Sequence, residues 1–233
     1  MITITGASSN DALQGRCVPP PSLNPCTVTL FSGLPLKDFP SGMIRRYPKN
    51  AIVINQGDPI SSLYFILSGR IKLYMSNQRG KAFILDIRGP GDYFGDLELV
   101  DAGPCIASAV TLEESWMYVI QDAYFERFLS EHPEIDRQFY RSLVQRTRPL
   151  IERINSLALD PVYGRVIRTL LDSATEREGK LVTERLTQQD LADRVGACRE
   201  MVKLILKSLE EGGYIKVENK RITLLKREFP PAW

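Results

Sequence analysis

The stretch LTQQDLADRVGACREMVKLILKSL, from Leu186 to Leu209, holds two helical periods separated by a break. Leu191, Ala192 and Val195 mark the apolar face of a short first helix, and Gly196 with Ala197 interrupts it. Met201, Val202, Ile205, Leu206 and Leu209 restart an apolar stripe on a second helix. Thr187 stands at the N-cap of the first helix with Asp190 three residues on, a near match to a capping box. The polar face of the second helix opens with Arg199, Glu200 and Lys203, side chains that reach base edges and phosphates from a helix N-terminus. An αα-hairpin with solvated charges would show the same two stripes, so the flanking sequence has to decide.

Downstream, Glu211 to Val217 and Arg221 to Leu225 read as two short strands joined by the polar turn Glu218-Asn219-Lys220. This is a wing packed behind the helices, and its Lys216, Lys220 and Arg221 are placed to touch a phosphate backbone. With the wing included, Leu186 to Leu225 resembles the winged helix-turn-helix of the cyclic-AMP receptor protein and fumarate-nitrate reduction regulator (CRP/FNR) family. The matching residues are Leu186 to Ala192, Val195-Gly196, Arg199-Glu200 and Leu206 to Glu210, with Gly213 and Ile215. The resemblance implies that Arg199 and Glu200 enter the major groove of double-stranded DNA, reading a guanine and a cytosine edge, while Thr187 and Gln188 join the wing cations on phosphates. The chain departs from the cyclic-AMP branch at Leu204, where that branch has a second arginine, and at Lys203, a position that is usually small. The expectation is a changed half-site in which Lys203 supplies a less directional contact than an arginine fork.

Upstream, Asp160-Pro161 opens a helix whose stripe is Val162, Val166, Ile167, Leu170 and Leu171, followed by a charged loop from Thr175 to Lys180. In the family the loop at this place can touch RNA polymerase. Pro133 to Leu159 reads as one long helix, with Leu143, Thr147, Leu150, Ile154 and Leu157 alternating by four and three residues as in a coiled-coil seam. Such a helix could also simply cover the neighbouring domain. The family uses it as a dimer axis, which implies a homodimer with two DNA-reading helices about 34 Å apart on a near-palindromic site. Pro149 lies inside the seam and predicts a kink or local loosening there.

Between Ile44 and Ile120 the chain is β-rich. Short runs at Ala51 to Ile54, Leu63 to Leu67, Ile71 to Met75, Phe83 to Ile87, Ala107 to Val110 and Trp116 to Ile120 alternate with turn signals at Gly57-Asp58-Pro59, Ser68-Gly69, Gly80 and Gly89-Pro90-Gly91. Many short strands at regular spacing predict a jelly-roll-like β-barrel. The barrel resembles the family's cyclic-nucleotide-binding-like sensor domain through Leu63 to Gly69 and Gly91 to Leu97. The resemblance places an effector pocket at Gly95, Asp96, Leu97 and Glu98, with Ala107 and Ser108 on the returning segment and Leu150 and Ile151 on the long helix. The same residues argue against cyclic AMP. The returning segment Gly103 to Ser108 contains no arginine to pair with a cyclic phosphate, and Leu150-Ile151 replaces the Thr-Ser pair that contacts the base in the cyclic-AMP branch. An unknown small-molecule effector, a regulator driven by its own concentration and a vestigial pocket all stay open.

Four cysteines, Cys17, Cys26, Cys105 and Cys198, are scattered, and His132 is the sole histidine, so neither a zinc site nor a Ser-His-Asp or Cys-His catalytic set can be assembled. A cupin-like barrel enzyme, the rival from another class, needs a ligand cluster of imidazoles and carboxylates that one histidine outside the barrel does not supply. The family's iron-sulfur branch uses an N-terminal cysteine cluster, which Cys17 and Cys26 leave incomplete, and a redox- or cluster-controlled regulator is the alternative reading within the family. No metal, no certain cofactor and no catalytic residue are therefore expected. The formal net charge is +2, with 16 basic and 16 acidic residues before Asp160 and 14 against 12 from it onward, so the excess sits in the DNA-binding part. No apolar run has the length of a membrane span and no signal sequence is visible, so a cytoplasmic protein is expected. Residues 1–40, rich in Ser, Pro, Thr and Gly, are expected to form a flexible tail, ordering only near Phe31 to Phe39. The fold class is α+β: a tail (1–40), a β-barrel sensor (41–132), a dimerisation helix (133–159) and a winged helix-turn-helix (160–233).

Overall fold

A computed structural model describes residues 41–177 and 179–230. The expected tail, with Cys17 and Cys26, lies outside the described residues. The chain divides into two compact units, one holding residues up to 76 together with 84–143, the other 77–83 and 144 onward.

The first unit is built from β1 (Met43–Tyr47), β2 (Ile52–Ile54), β3 (Ser62–Ser68), β4 (Ile71–Ser76), β5 (Ala82–Arg88), β6 (Tyr93–Phe94), α1 (Asp96–Asp101), β7 (Ser108–Thr111), β8 (Ser115–Gln121), α2 (Asp122–Glu131) and the start of α3 (Pro133–Leu159). Two four-stranded sheets form, in the orders β1-β8-β3-β6 and β2-β7-β4-β5. In β3, Leu63, Phe65 and Leu67 join one core cluster and Ile66 joins another. In β8, Trp116, Tyr118 and Ile120 go with the first cluster, Met117 and Val119 with the second. The second cluster also takes Ile54, Ile71 and Ala109 from the other sheet, so it lies between the two sheets. The first takes Phe125 and Phe128 of α2 and Ile135 and Phe139 of α3, so these helices cover the outer face. Side chains alternate across a strand, and a strand covered on both faces must be apolar at every position. That is why β3 and β8 read as unbroken apolar runs.

Phe139 is 1% exposed and packs its ring 5.9 Å from Tyr93 and 5.2 Å, edge on, from Phe125. It anchors the first turns of α3 to the barrel. The expected strands at Ala51, Leu63, Ile71, Phe83, Ala107 and Trp116 are all present to within a residue or so of their expected starts. Two more, β1 and β6, carried too few apolar residues to stand out. β1 pairs with β8 in register from Met43 opposite Val119 to Tyr47 opposite Ser115, at the sheet edge where only one side needs to be apolar.

The second unit holds the rest of α3, then α4 (Val162–Ser173), β9 (Ala174–Arg177), β10 (Lys180–Thr183), α5 (Gln188–Val195), α6 (Arg199–Glu211), β11 (Ile215–Glu218) and β12 (Arg221–Leu224). Its core joins Tyr163, Val166 and Leu170 of α4 to the apolar stripes of α5 and α6 and to Ile215, Ile222 and Leu224 of the wing. Leu171, expected in the α4 stripe, is 39% exposed, and Tyr163 takes part instead. The expected charged loop from Thr175 to Lys180 is a hairpin: β9 pairs with β10, and β10 pairs with β12, extending the wing to the order β11-β12-β10-β9. β9 is an edge strand with exposed Thr175, Glu176 and Arg177, so its composition carries no strand signal. α3 stays helical through Pro149.

Replacing Phe139 by alanine should cost about 3–5 kcal/mol of stability, the usual range for a buried phenylalanine, read as a lower urea midpoint. A loss below about 1 kcal/mol would mean that α3 is held by something else. The two described cysteines should differ in reactivity. Cys105 is buried, and its thiol is pushed up to about 11, first by burial and then by the nearby Glu98 and Asp58 carboxylates. A raised thiol stays protonated below its own pKa, so at pH 8 only on the order of one in a thousand would be thiolate. Native-state alkylation at pH 8, read peptide by peptide, should modify exposed Cys198 and spare Cys105.

Candidate nucleic-acid interface and sensor region

The local geometry of α5 and α6 follows from their ends. The Thr187 hydroxyl accepts from the Asp190 amide at 3.0 Å, and the Asp190 carboxylate accepts from the Thr187 amide at 3.0 Å, a complete capping box. Gly196 ends α5 in the left-handed region at φ 65, and a Cβ there would lie 2.9 Å from Leu157 Cδ2, so the turn takes glycine for both shape and space. Cys198 is the N-cap of α6 and makes no side-chain cap bond, which leaves the first-turn amides of α6 open. Arg165 donates to the Val195 carbonyl at 2.9 Å and to the Asp160 carbonyl at 2.7 Å, tying the end of α5 to the α3–α4 junction. At that junction the Ser156 hydroxyl donates to Asp160, which together with Arg168 holds the Asp160 carboxyl below its ordinary range. Arg194 pairs with Glu184 at 2.6 Å and fixes α5 against the approach to it. Arg165 and Arg194 are positioning residues that sequence reasoning missed, because an arginine beside a helix end looks like any solvated charge.

The buried side of α6 is Val202, Ile205, Leu206 and Leu209, and Arg199, Glu200 and Lys203 are all exposed on the other. The α6 N-terminus therefore presents two cations and a carboxylate beside open amides, groups chemically able to meet base edges and phosphate. The one hydroxyl hydrogen of Thr187 is directed at the Asp190 carboxylate, 2.6 Å away, and Gln188 follows as the first residue of α5.

The wing hairpin turns through Asn219 at φ 50 and Lys220 at φ 63, which puts Lys220 at its tip. The Lys220 carbonyl accepts from the Leu186 amide at 2.7 Å, and Val217 donates its amide to Glu210 at 3.0 Å, so the wing is bound to both ends of the helix pair. Arg221 is exposed, whereas Lys216 pairs with Glu218 at 2.8 Å.

In the barrel, Gly95 begins α1 at φ 89, with the Ser62 carbonyl 2.6 Å from where a Cβ would sit. Asp96 and Glu98 are both buried. Asp96 lies 3.8 Å from the Arg88 guanidinium, which also bonds Asp86 and the Tyr93 carbonyl. Glu98 accepts from the amide of Ile106 at 3.1 Å, and Ser108 accepts from the Gln56 amide at 2.9 Å. The structure thus joins Glu98 to the returning segment, while Leu97 is exposed and Ala107 half-buried. Arg88, on β5 and outside the motif, was not visible as a pocket residue. Leu150 and Ile151 belong to the second unit and are exposed on α3.

Of the expected seam on α3, Thr147, Leu150, Ile154 and Leu157 are exposed and Leu143 is half-buried. Leu143 is packed against the barrel core, and Leu157, 39% exposed, has its Cδ2 beside Gly196. Tyr140, Val144 and Ile151 are exposed as well, and with Thr147 and Ile154 they repeat the alternating spacings of four and three.

No group of three or more His, Cys, Asp or Glu among the described residues is arranged to hold a metal ion. No helix among them is long and apolar enough to cross a membrane.

Residues 44–132 match the cyclic nucleotide-binding domain and residues 164–229 the Crp-like helix-turn-helix domain. The CRP-like cAMP-activated global transcriptional regulator of Mycobacterium tuberculosis is 34% identical over 187 residues, covering 78% of this chain and 84% of that protein. The cAMP-activated global transcriptional regulator CRP of Escherichia coli O157:H7 is 29% identical over 189 residues, covering 78% and 89%. Among solved structures, the c-di-GMP responsive global regulator CLP of Xanthomonas campestris superposes with a TM-score of 0.72 at 25% identity, covering 78% of this chain and 93% of that one. A CRP/FNR family transcriptional regulator from Thermus thermophilus gives 0.67 at 25% identity, covering 79% and 94%. Barrel, helix-turn-helix and relatives agree, and the chain belongs to the CRP/FNR family of transcription regulators, with a cyclic-nucleotide-binding-type domain followed by a Crp-like helix-turn-helix DNA-binding domain.

Proposed function

We propose that the chain acts as a homodimer on a near-palindromic DNA site and that cyclic AMP is not its effector. The observation that carries the DNA reading is the exposed trio Arg199, Glu200 and Lys203 at the open N-terminus of a helix whose other side is fully packed. Arg199 makes the bidentate guanine contact, Glu200 accepts from cytosine N4, and Lys203 adds a base or phosphate contact. Gln188, Lys220 and Arg221 hold phosphates, and Lys216 does so by exchanging its bond to Glu218. The outward seam of α3 supplies the dimer contact, since a two-fold axis along it would place two copies of α6 about one DNA turn apart. RNA polymerase is a further partner, with the β9–β10 hairpin as its contact.

The barrel supports a different effector, or none. Two relatives are named as activated by cyclic AMP and one structural neighbour as responsive to c-di-GMP, so the effector differs within the family. Here Asp96 faces Arg88 across 3.8 Å, and the Glu98 carboxylate occupies the Ile106 amide. A cyclic phosphate entering beside Ile106 would meet a buried carboxylate, and the Arg88 guanidinium is already engaged by Asp86, Asp96 and the Tyr93 carbonyl, which leaves the desolvation uncompensated.

Selection from random duplexes with purified, reduced protein, at stated salt and without added ligand, should enrich a palindrome. Arg199→Ala should cost on the order of 1 to 3 kcal/mol on that site and relax one base position, whereas Lys220→Ala should weaken all sequences alike and lower the salt slope. Uniform losses in both variants would mean that α6 does not read bases. Saturating cyclic AMP should leave both the melting temperature and the DNA affinity unchanged; a rise in both would return the barrel to the cyclic-AMP class.

A further inference from the structure

We propose that Leu204 is a base-reading residue that takes the 5-methyl group of a thymine in each half-site, an inference resting on the placement of α6 in the major groove argued above. α6 turns Arg199, Glu200, Lys203, Leu204 and Lys207 away from the core. Four of these five are charged, and Leu204, 63% exposed, is the apolar residue set among them. It follows Glu200 by four residues and so lies one turn further along the same face. A groove that admits Glu200 to base edges therefore admits Leu204. Met201, by contrast, is 45% exposed but stands one turn from Ile205, beside the buried stripe, and faces the edge of the core.

An aliphatic side chain pressed against a phosphate oxygen or a base-edge donor would strip water from that group and give no bond in return. The apolar feature that base edges present in the major groove is the thymine methyl. Leucine, with two methyl groups at the end of a short stem, covers such a methyl. It cannot reproduce the bidentate hydrogen bonds that would be needed to prefer guanine or adenine. Four helical residues rise about 6 Å, or about two base steps of 3.4 Å, so the thymine falls within about two base pairs of the cytosine read by Glu200. Lys203 and Lys207 flank Leu204 on the same exposed face and hold it at the groove floor by their own contacts to phosphate or base.

The test uses the full chain and the site it selects, at fixed salt, with each thymine of the half-site replaced in turn by deoxyuridine, which removes the methyl and nothing else. For the wild type one position should respond, weakening about fourfold per half-site, the factor for one buried methyl-sized group, and about fifteenfold when both half-sites are changed. Leu204→Ala should lose that response and leave the responses at other positions unchanged, and Leu204→Met should retain it. Equal melting temperatures for the three proteins would show that a surface position has been changed without disturbing the core. A wild type indifferent to every uracil, or a Leu204→Ala variant with the same response as the wild type, overturns the assignment. Absence of any sequence-selective binding would instead bring down the reading of α6 on which the assignment rests, and the assignment with it.

Discussion

Strands β3 and β8 are covered on both faces, and the rest of the first unit depends on that condition. Their even and odd positions serve two different cores, one between the sheets and one beneath α2 and α3. A polar residue at either parity would be buried without a partner, so the strands tolerate almost none in their middles. The outer core ends in the ring contacts of Phe65, Tyr93, Phe125 and Phe139, which fix the rotation of α3 about its own axis. With Ile135 and Phe139 pointing into the barrel, Tyr140, the next residue of α3, is left exposed.

The DNA-binding unit is organised by helix ends. A capping box starts α5, a left-handed glycine stops it, and two arginines bind the carbonyls and carboxylate around it. These features fix the angle between α5 and α6 without using any of the outward side chains of α6. The outward positions, Lys203 and Leu204 among them, thus take no part in holding the two helices together.

Much of this was legible in the sequence, for reasons that differ between elements. Doubly buried strands, the capping box and the α6 stripe announce themselves because burial or a cap restricts residue type at several linked positions. The hairpin of β9 and β10 has the composition of a loop because an edge strand with a solvated face is held by backbone bonds that any residue makes. On α3 the stripe of Leu143, Leu150 and Leu157 and that of Tyr140, Val144 and Ile151 satisfy the same spacing, and spacing alone does not separate two adjacent apolar stripes. Within the barrel the motif located Asp96 and Glu98, but Arg88 lies on a different strand and nothing in its surroundings links it to them. That the Thr187 hydroxyl serves its own helix twice, accepting from the Asp190 amide and donating to the Asp190 carboxylate, is visible only once both hydrogen bonds are drawn.

Asn219 and Lys220 both sit at positive φ at the wing tip. Asparagine bears that conformation easily, but lysine does so only against steric strain, and glycine would relieve it. Glycine at 220 would relax the hairpin and at the same time remove the positive charge from its turn, so at this one residue backbone ease and charge are alternatives.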